Sequence, residues 1–313
     1  MRWLSVAVLL LGTITCLPDA SLALDRVREH VSAHRISALR PKRMVGGSLT
    51  ASVPWQAMVY LSENILDGGF AGGALIAERW VLTAGRNLFV RKSQNHTRGQ
   101  EPLIPKVYLG ISKRSDANAS TEVAVEKVFL HPGFQNTSDW DNDLALIKLK
   151  EPVNFSESIM PIPLPEIGDN QEEREGERGI IAGWGWGKLF TPAPMLKFLA
   201  LPVQFCQGNY LARVLASTPD VDNKQFCTGP SEYQENVCLG DAGGALAFLN
   251  PNTSTVYAAG ILSFDKACSV EEHAVYTKIS AYLPWIHGVM RGDSEEFPAQ
   301  RALIMSHMFS QQP

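Results

Sequence analysis

The residues of this chain that could carry chemistry lie in three short segments. Two segments contain an aspartate: Asp143 in DNDLALIKL, and Asp241 in GDAGGA, where Ala242 follows it. The third segment, LTAGRN, contains Arg86. A carboxylate can orient a general base or pair with a cation, but a guanidinium stays protonated at physiological pH and cannot accept a proton. Ala242 has no atom that could attack a substrate, so charge pairing is the chemistry that these residues offer.

The cysteines indicate disulfides and not a metal site. After the first 23 residues, four cysteines remain, at Cys206, Cys227, Cys238 and Cys268. Zinc sites use short Cys-x-x-Cys or histidine spacings, which this sequence lacks. We therefore expect no metal and no cofactor, and we expect the four cysteines to pair in an oxidising compartment.

The N-terminal segment predicts export. Residues 1–23 place one arginine before an apolar run and end in small residues at Ala23, as signal peptides do. The alternative is a retained membrane anchor, but the apolar core is short and no later apolar run could span a bilayer. Asparagine sequons agree with a secretory route to the extracellular space; they lie at Asn95, Asn118, Asn136, Asn154 and Asn252.

Length and composition favour a globular protein and exclude some partners. The chain has 313 residues, of which 45% are hydrophobic, enough for a sizeable core. Its net charge of -4 gives no basic footprint for nucleic acid or for an anionic membrane. The acidic run at residues 169–177 is either a solvated loop or a site for a partner.

Composition divides the rest of the chain into three parts. Residues 24–43 are polar and end in a basic pair, which indicates a pro-segment or short light chain cut between Arg43 and Met44. Residues 44–291 contain many short β-rich runs separated by turn residues, the pattern of an antiparallel sandwich or barrel, and they end in a helix-like segment. Residues 292–313 form a polar tail.

Motifs in this central part resemble the trypsin-like serine protease domain. The resemblance rests on their order and spacing, and it implies an all-β fold of two six-stranded antiparallel β-barrels with a C-terminal helix. The motifs are VGG at 45–47, PWQA at 54–57, WVLTAGRN at 80–87, DNDLALIKL at 141–149, GWGWG at 183–187 and CLGDAGGA at 238–245.

The same resemblance implies a protein that is not an enzyme. Active members use a serine nucleophile, a histidine base and an aspartate that orients the base. Here Asp143 matches the aspartate, but Arg86 stands at the histidine position and Ala242 at the serine position. Loss of both groups should abolish useful hydrolysis. We expect Arg86 to form an ion pair with Asp143 in the emptied triad.

Other positions of the family also have counterparts here. Gly240 and Ala242 would keep the two backbone donors of the oxyanion hole. Asp241 matches the aspartate that pairs with a new N-terminus, which Met44 would supply after cleavage at Arg43.

The substrate pocket departs from the family pattern. Phe264 and Asp265 stand where the family has tryptophan and glycine, and Asn236 stands at the pocket base, where trypsin-type enzymes have aspartate. A side chain in the place of glycine should narrow the entrance. These changes are either neutral drift in a dead site or the mark of a new role.

The resemblance also implies how the cysteines pair. Cys206 and Cys227 match the two ends of one disulfide of the family, and Cys238 and Cys268 match the two ends of another. The family's bridge beside the catalytic histidine is lost at both ends, since Ala71 and Asn87 stand in its place.

Within the family, the chain is similar to a non-catalytic plasma branch whose members bind free haemoglobin. Segments 81–90, 231–243 and 258–268 share departures from the protease pattern with that branch. The similarity implies an antioxidant, acute-phase plasma protein that captures haemoglobin αβ dimers, with a clearance receptor for the complex as a further partner. The contact candidates are Tyr233, Phe264, Asp265 and Lys266.

One feature of that branch is missing. Its members commonly carry a light chain with complement-control modules that a disulfide joins to the protease-like domain. Residues 24–43 contain no cysteine, and Pro163 stands where the joining cysteine is expected. We therefore expect a short form without such modules. The alternative function is an inactive homologue that acts as a binding decoy or regulator in complement, clotting or innate defence.

Overall fold

The computed structural model describes most of the protease-like part of the chain. The described residues are 48–49, 53–61, 69–89, 102–134, 141–166, 173–187, 191–204, 206, 223–250, 253–264 and 268–292. The predicted signal peptide, the segment at 24–43 with its cleavage site, and the tail beyond residue 292 lie outside them. Within the described ranges, no helix is long and apolar enough to cross a membrane.

The first sheet is built from strands in the N-terminal half of the domain, and all of its pairings are antiparallel. The described chain starts with β1 (Ser48–Leu49), which joins the second sheet. The strands of the first sheet are β2 (Gln56–Tyr60), β3 (Phe70–Ala77), β4 (Trp80–Thr83), β5 (Lys106–Leu109), β6 (Glu122–Val123), β7 (Val125–Leu130) and β8 (Ala145–Leu149). Their order is β6-β5-β2-β3-β4-β8-β7. Only Ala124 separates the two edge strands in the chain, and the sheet curls into a half-barrel.

The second sheet closes on itself. Its strands are β9 (Arg178–Gly183), β10 (Lys197–Gln204), β11 (Gln225–Thr228), β12 (Ala245–Leu249), β13 (Val256–Phe264) and β14 (Ala274–Lys278). They pair in the order β10-β11-β14-β13-β12-β9, and β9 also pairs with β10 to complete a six-stranded barrel. The trypsin-like, all-β fold is therefore confirmed, with the difference that one barrel is closed and the other sheet is a curled half-barrel.

Apolar residues fill three regions that explain this arrangement. One cluster lies within the first sheet around Val81 and Ile147, and a second lies within the closed barrel around Leu201 and Tyr276. A third joins residues of both sheets to the C-terminal helix. All nine residues of β13 are buried, because this strand faces the barrel interior on one side and the other sheet on the other.

Two short helices flank the region between the sheets. Helix α1 (Gly85–Leu88) directly follows β4, and helix α2 (Leu283–Arg291) ends the described chain. The predicted amphipathic C-terminal segment is confirmed as α2. Its C-terminus is capped by Gly292, whose left-handed backbone lets its N–H bond to the carbonyls of Gly288 and Val289.

Part of the acidic run belongs to the fold. The side chain of Glu173 is only 4% exposed and pairs with Lys278 at 2.8 Å. Neither predicted alternative, a solvated loop or a partner site, describes this residue, while residues 169–172 lie outside the described ranges.

Candidate functional site

Helix α1 carries Arg86 into the region between the two sheets. A side chain at Gly85 would come within 3.1 Å of the carbonyl oxygen of Leu144, so glycine lets this helix pack closely against the neighbouring segment. That packing places the backbone N–H of Arg86 2.6 Å from Oδ1 of Asp143, to which it donates. The positions of the former base and the former orienting acid therefore remain adjacent.

Asp143 is completely buried and is held by hydrogen bonds from both halves of the domain. Its Oδ2 accepts from the hydroxyl of Ser263 at 2.6 Å, and its carbonyl accepts from the hydroxyl of Thr277 at 3.1 Å. The Arg86 amide and the Ser263 hydroxyl stabilise the carboxylate, while the Thr277 hydroxyl holds the Asp143 backbone. A buried charge of this kind needs such partners to be tolerated.

The guanidinium of Arg86 stands further from Asp143 than a hydrogen bond allows. The Nε atom lies 4.0 Å from Oδ2 of Asp143, and the Arg86 side chain is 14% exposed. The expected ion pair is therefore present as a charge contact, while the short hydrogen bonds to Asp143 come from a backbone amide and a serine hydroxyl. Arg86 contributes a fixed positive charge beside the acid and no proton acceptor.

Ala242 lies in a tight junction between the sheets. It is 2% exposed, and its carbonyl oxygen accepts from the Gly72 N–H at 2.8 Å and from Nδ2 of Asn87 at 3.0 Å. The backbone of Gly243 has φ +91°, and a side chain there would collide with Thr83 and Gly72. Nothing larger fits at that glycine, so the frame around the former nucleophile keeps its close packing.

Asn87 has a role that the sequence did not indicate. It was interpreted only as one end of a lost disulfide, together with Ala71. In the structure its side-chain amide links helix α1 to the segment that holds Ala242. Asn87 is thus linked to the second half of the domain, whereas the lost disulfide would have joined it to Ala71 in β3 of the first sheet.

Asp241 faces the interior of the closed barrel. Its Oδ1 accepts from the Gly185 N–H at 2.7 Å, and its Oδ2 accepts from the Cys238 N–H at 3.0 Å. The carboxylate occupies the space in which side chains at Gly183 and Gly185 would lie. These two glycines of the GWGWG motif are therefore required to make room for the acid.

A cavity adjoins Asp241. It has a volume of about 20 Å³, and it is lined by Ile181, Trp186, Leu199 and Asn236 among others. Lys197 and Glu235 also line it and form an ion pair at 2.6 Å. Met44, the expected partner of Asp241, lies outside the described residues.

Asn236, which the resemblance places at the base of the specificity pocket, is fixed by hydrogen bonds within the protein. Asn236 is 5% exposed, and its Nδ2 donates to the carbonyls of Ser269 and Glu272, both at 3.0 Å. Its Oδ1 accepts from the Val237 N–H at 2.9 Å. Both N–H groups of the Asn236 amide are thus engaged within the protein, and neither is left to donate to a substrate.

The haemoglobin contact candidates have different surroundings. Phe264 is 7% exposed and packs with Cys227 and Val275, so its ring is part of the core. Its selection as a surface contact is corrected, because a buried ring offers little area to a partner. Tyr233 is half-buried against the barrel core. Asp265 and Lys266 lie outside the described residues.

Both expected disulfides are present, Cys206–Cys227 and Cys238–Cys268. The second joins the segment before Asp241 to the segment that bonds Asn236, so it braces this region.

Gly240 has φ +97°, and a side chain there would collide with the ring of Phe70. The predicted oxyanion segment therefore packs directly on the first sheet.

His131 lies beside this network, since its backbone N–H donates to the carbonyl of Leu144 at 3.0 Å, and it is unsuited to act as a base. Burial, with a smaller effect of Lys224, lowers the pKa of His131 to about 4. Its Nδ1 accepts from the Gly133 N–H at 3.1 Å, and its ring packs edge-on against Tyr282 and Trp285. It supports the turn before Asp143.

Among the described residues, no group of three or more His, Cys, Asp or Glu side chains could hold a metal.

Two hydroxyl residues that hold Asp143 were missed in the sequence. Ser263 and Thr277 each lie in a strand of otherwise mostly apolar, buried residues. A hydroxyl in such a strand is a signal, because buried polar groups almost always have a hydrogen-bond partner. The partner itself could not be predicted, since it lies more than a hundred residues away in the chain.

Known proteins share this architecture and much of the sequence. The trypsin family model matches residues 45–286. Haptoglobin from Oryctolagus cuniculus is 36% identical over 260 residues, which cover 78% of this chain and 69% of that protein. Haptoglobin from Canis lupus familiaris is 34% identical over 267 residues, which cover 80% and 75%. Haptoglobin-related protein from Homo sapiens is 37% identical over 260 residues, which cover 78% and 69%.

Proposed function

We propose a binding function and not a catalytic one, because this chain belongs to the trypsin-like serine protease family but lacks two of its three catalytic groups. In this proposal it is a secreted plasma protein that captures free haemoglobin and so limits oxidative damage and iron loss. Arg86 and Ala242 replace the base and the nucleophile.

The observation that carries the non-catalytic part is the way the former triad is used. Asp143 has no exposed surface and already accepts from the Arg86 amide and the Ser263 hydroxyl. The Arg86 guanidinium cannot take a proton, and the Ala242 methyl group cannot attack a carbonyl. Asn236 is engaged at the pocket base as well. In this proposal the three residues of the former triad stabilise the fold, and none of them provides a base or a nucleophile for hydrolysis.

Similarity to haptoglobins supports haemoglobin as the partner. The shared departures from the protease pattern include the loop 231–243, in which Ser231 donates to the Glu235 carbonyl at 2.6 Å and accepts from the Tyr233 N–H. A loop ordered in this way before binding loses little conformational entropy in the complex. We propose that Tyr233, Asp265 and Lys266 contribute contacts to an αβ dimer, around a core of aromatic and arginine anchors.

The proposal includes the processing of the chain. Residues 1–23 would be removed as a signal peptide, and a cut after Arg43 would free the amine of Met44 from the segment 24–43. The cavity beside Asp241 supports this, since the Asp241 carboxylate lies on its wall, where the negative charge would attract an ammonium group. A receptor for the haemoglobin complex remains part of the proposal.

The decisive experiment is size-exclusion chromatography of the secreted, glycosylated protein with oxyhaemoglobin at physiological salt. Haem absorbance should move to an earlier peak of fixed stoichiometry. A folded protein that leaves haemoglobin at its own elution volume would contradict haemoglobin capture and favour the decoy or regulator. Turnover of ester or peptide substrates by the same preparation would contradict the non-catalytic assignment, with active trypsin as the positive control.

A further inference from the structure

We propose that Asn154 carries an N-linked glycan whose first sugars cover the exposed ring of Phe155. This modification is independent of haemoglobin binding, but it rests on the secretory route proposed above, because only exported chains receive such glycans.

The inference starts from an exposed aromatic ring. Phe155 is 43% exposed and is the middle residue of the sequon that begins at Asn154. The other large apolar side chains exposed in the described ranges are Ile104 and Leu249. Leu249 ends β12 three residues before Asn252, whose own placement lies outside those ranges. Single exposed apolar residues are common, but two of these three lie at or near a sequon.

The backbone on both sides of this sequon is anchored. The Val153 N–H donates to the carbonyl of Glu78 at 2.8 Å, and the Ser156 N–H donates to the carbonyl of Ile159 at 2.8 Å. Residues 154–155 are exposed between these two anchors and belong to no strand. The alternation that points neighbouring side chains to opposite faces of a strand is therefore not imposed here.

A glycan at this position would meet apolar surface. The faces of N-acetylglucosamine that carry C–H groups pack on aromatic rings, and covering the ring removes apolar area from water. The amide of Asn154 and the ring of Phe155 are adjacent in the chain, so the first sugars need no long reach. The glycan would then stabilise the folded protein as well as make it more soluble.

A second described sequon provides a matched control. Asn118 is also exposed, but its middle residue is Ala119, which offers no ring to cover. Its Oδ1 accepts from the Ser120 hydroxyl at 2.7 Å, so the side chain is ordered within its own turn. Removal of a glycan there should leave the apolar surface of the protein unchanged.

The test is a double-mutant cycle on the full chain secreted from glycosylating cells. Glycopeptide mass spectrometry measures occupancy, and thermal unfolding is followed for the wild type, Asn154→Gln, Phe155→Ala and the double variant. Asn154→Gln is preferred to Ser156→Ala because the Ser156 hydroxyl accepts from the Ile159 N–H within its turn. We expect Asn154 to be occupied and its loss to lower Tm by about 2–4 °C, the shift usual for one contact in a domain of this size.

In a chain that carries Phe155→Ala, loss of the Asn154 glycan should change Tm little. The change in Tm caused by Asn118→Gln should be the same with and without Phe155→Ala. An empty Asn154 in a chain that is glycosylated at Asn118 would overturn this inference alone. Equal effects of Asn154→Gln with and without Phe155→Ala would also overturn it. A secreted fraction without any glycan would overturn this inference and leave the secretory route standing, whereas a folded, unglycosylated chain retained in the cytosol would overturn both.

Discussion

Two acids lie near the junction of the two sheets, and the chain uses them differently. Asp143 has no exposed surface, and donors from α1, β13 and β14 hold it. Asp241 accepts from the Gly185 and Cys238 N–H groups and is one of the residues that line a cavity. The first acid is part of the core. The second is only partly buried and lies at a cavity.

This difference shows what persists when catalysis is lost. A buried carboxylate cannot simply be left behind, because an unpaired charge in the core would destabilise the fold. The Ser263 hydroxyl and the Arg86 amide provide hydrogen bonds to the Asp143 carboxylate without a histidine. The Ser263 and Thr277 hydroxyls also join the second half of the domain to the first.

The largest effect is expected from Asp143→Ala. It removes the acceptor of the Arg86 amide and the Ser263 hydroxyl and the countercharge of the guanidinium, so unfolding should become easier by about 3–5 kcal/mol. Asp241→Ala should cost only about 1–3 kcal/mol, because the cavity leaves room for water to replace the carboxylate. Chemical denaturation of both variants measures the difference. A larger loss for Asp241→Ala than for Asp143→Ala would reverse the comparison.

Lowering the pH should reduce the free energy of unfolding through His131, which supports the turn before Asp143. Burial holds the pKa of this histidine near 4 in the folded protein, against 6.5 for the ordinary group. The unfolded chain therefore binds the proton first as pH falls, and stability that is complete above pH 6.5 is lost between 6.5 and 4. The loss reaches about 3 kcal/mol at most. Denaturant midpoints across this range should show the slope.

His131→Asn tests the source of that slope, since it keeps a side-chain acceptor for the Gly133 N–H and removes the titration. The slope should become flatter. His273 is the matched control, because burial also lowers its pKa but it lies in the segment next to β14, away from Asp143. If His273→Asn flattened the slope more than His131→Asn did, His131 would not be the main source of the loss of stability in acid.

Arg86→Ala should have an intermediate effect. The guanidinium stands 4.0 Å from Asp143 and has some exposure, while the short bonds to the acid do not involve it. We expect a loss of about 1 kcal/mol, as for an ion pair whose charged atoms stand 4.0 Å apart. Calorimetry would measure it. An unchanged Tm would show that Ser263 and the backbone amide are sufficient to hold the buried carboxylate.

The smallest effect is expected from Asn87→Ala. This change removes the bond of 3.0 Å to the carbonyl of Ala242, which keeps its bond from the Gly72 N–H. The acceptor stays satisfied, so the free energy of unfolding should fall by only about 0.5–1.5 kcal/mol. A loss as large as that of Asp143→Ala would mean that Asn87 is the main link between the two halves.

Several features of this architecture follow from the sequence. The resemblance to the trypsin-like family, which rests on the order and spacing of the motifs, predicted the fold and both disulfides. Turn residues and alternating apolar runs are local signals, and they indicated an antiparallel sandwich or barrel that ends in α2. Closure was harder to predict, since it depends on which edge strands pair. The tie between Asn236 and the segment 269–272, like the burial of Phe264, requires contacts between distant parts of the chain that no local pattern encodes.

The sequence by itself determined which groups are missing. Arg86 and Ala242 have the chemistry of their side chains wherever they lie, so the absence of a base and a nucleophile at those positions needs no coordinates. Only the tertiary structure decided what became of the acids. Burial and hydrogen bonding depend on neighbours brought together by folding, and these neighbours make Asp143 part of the core and leave Asp241 beside a cavity.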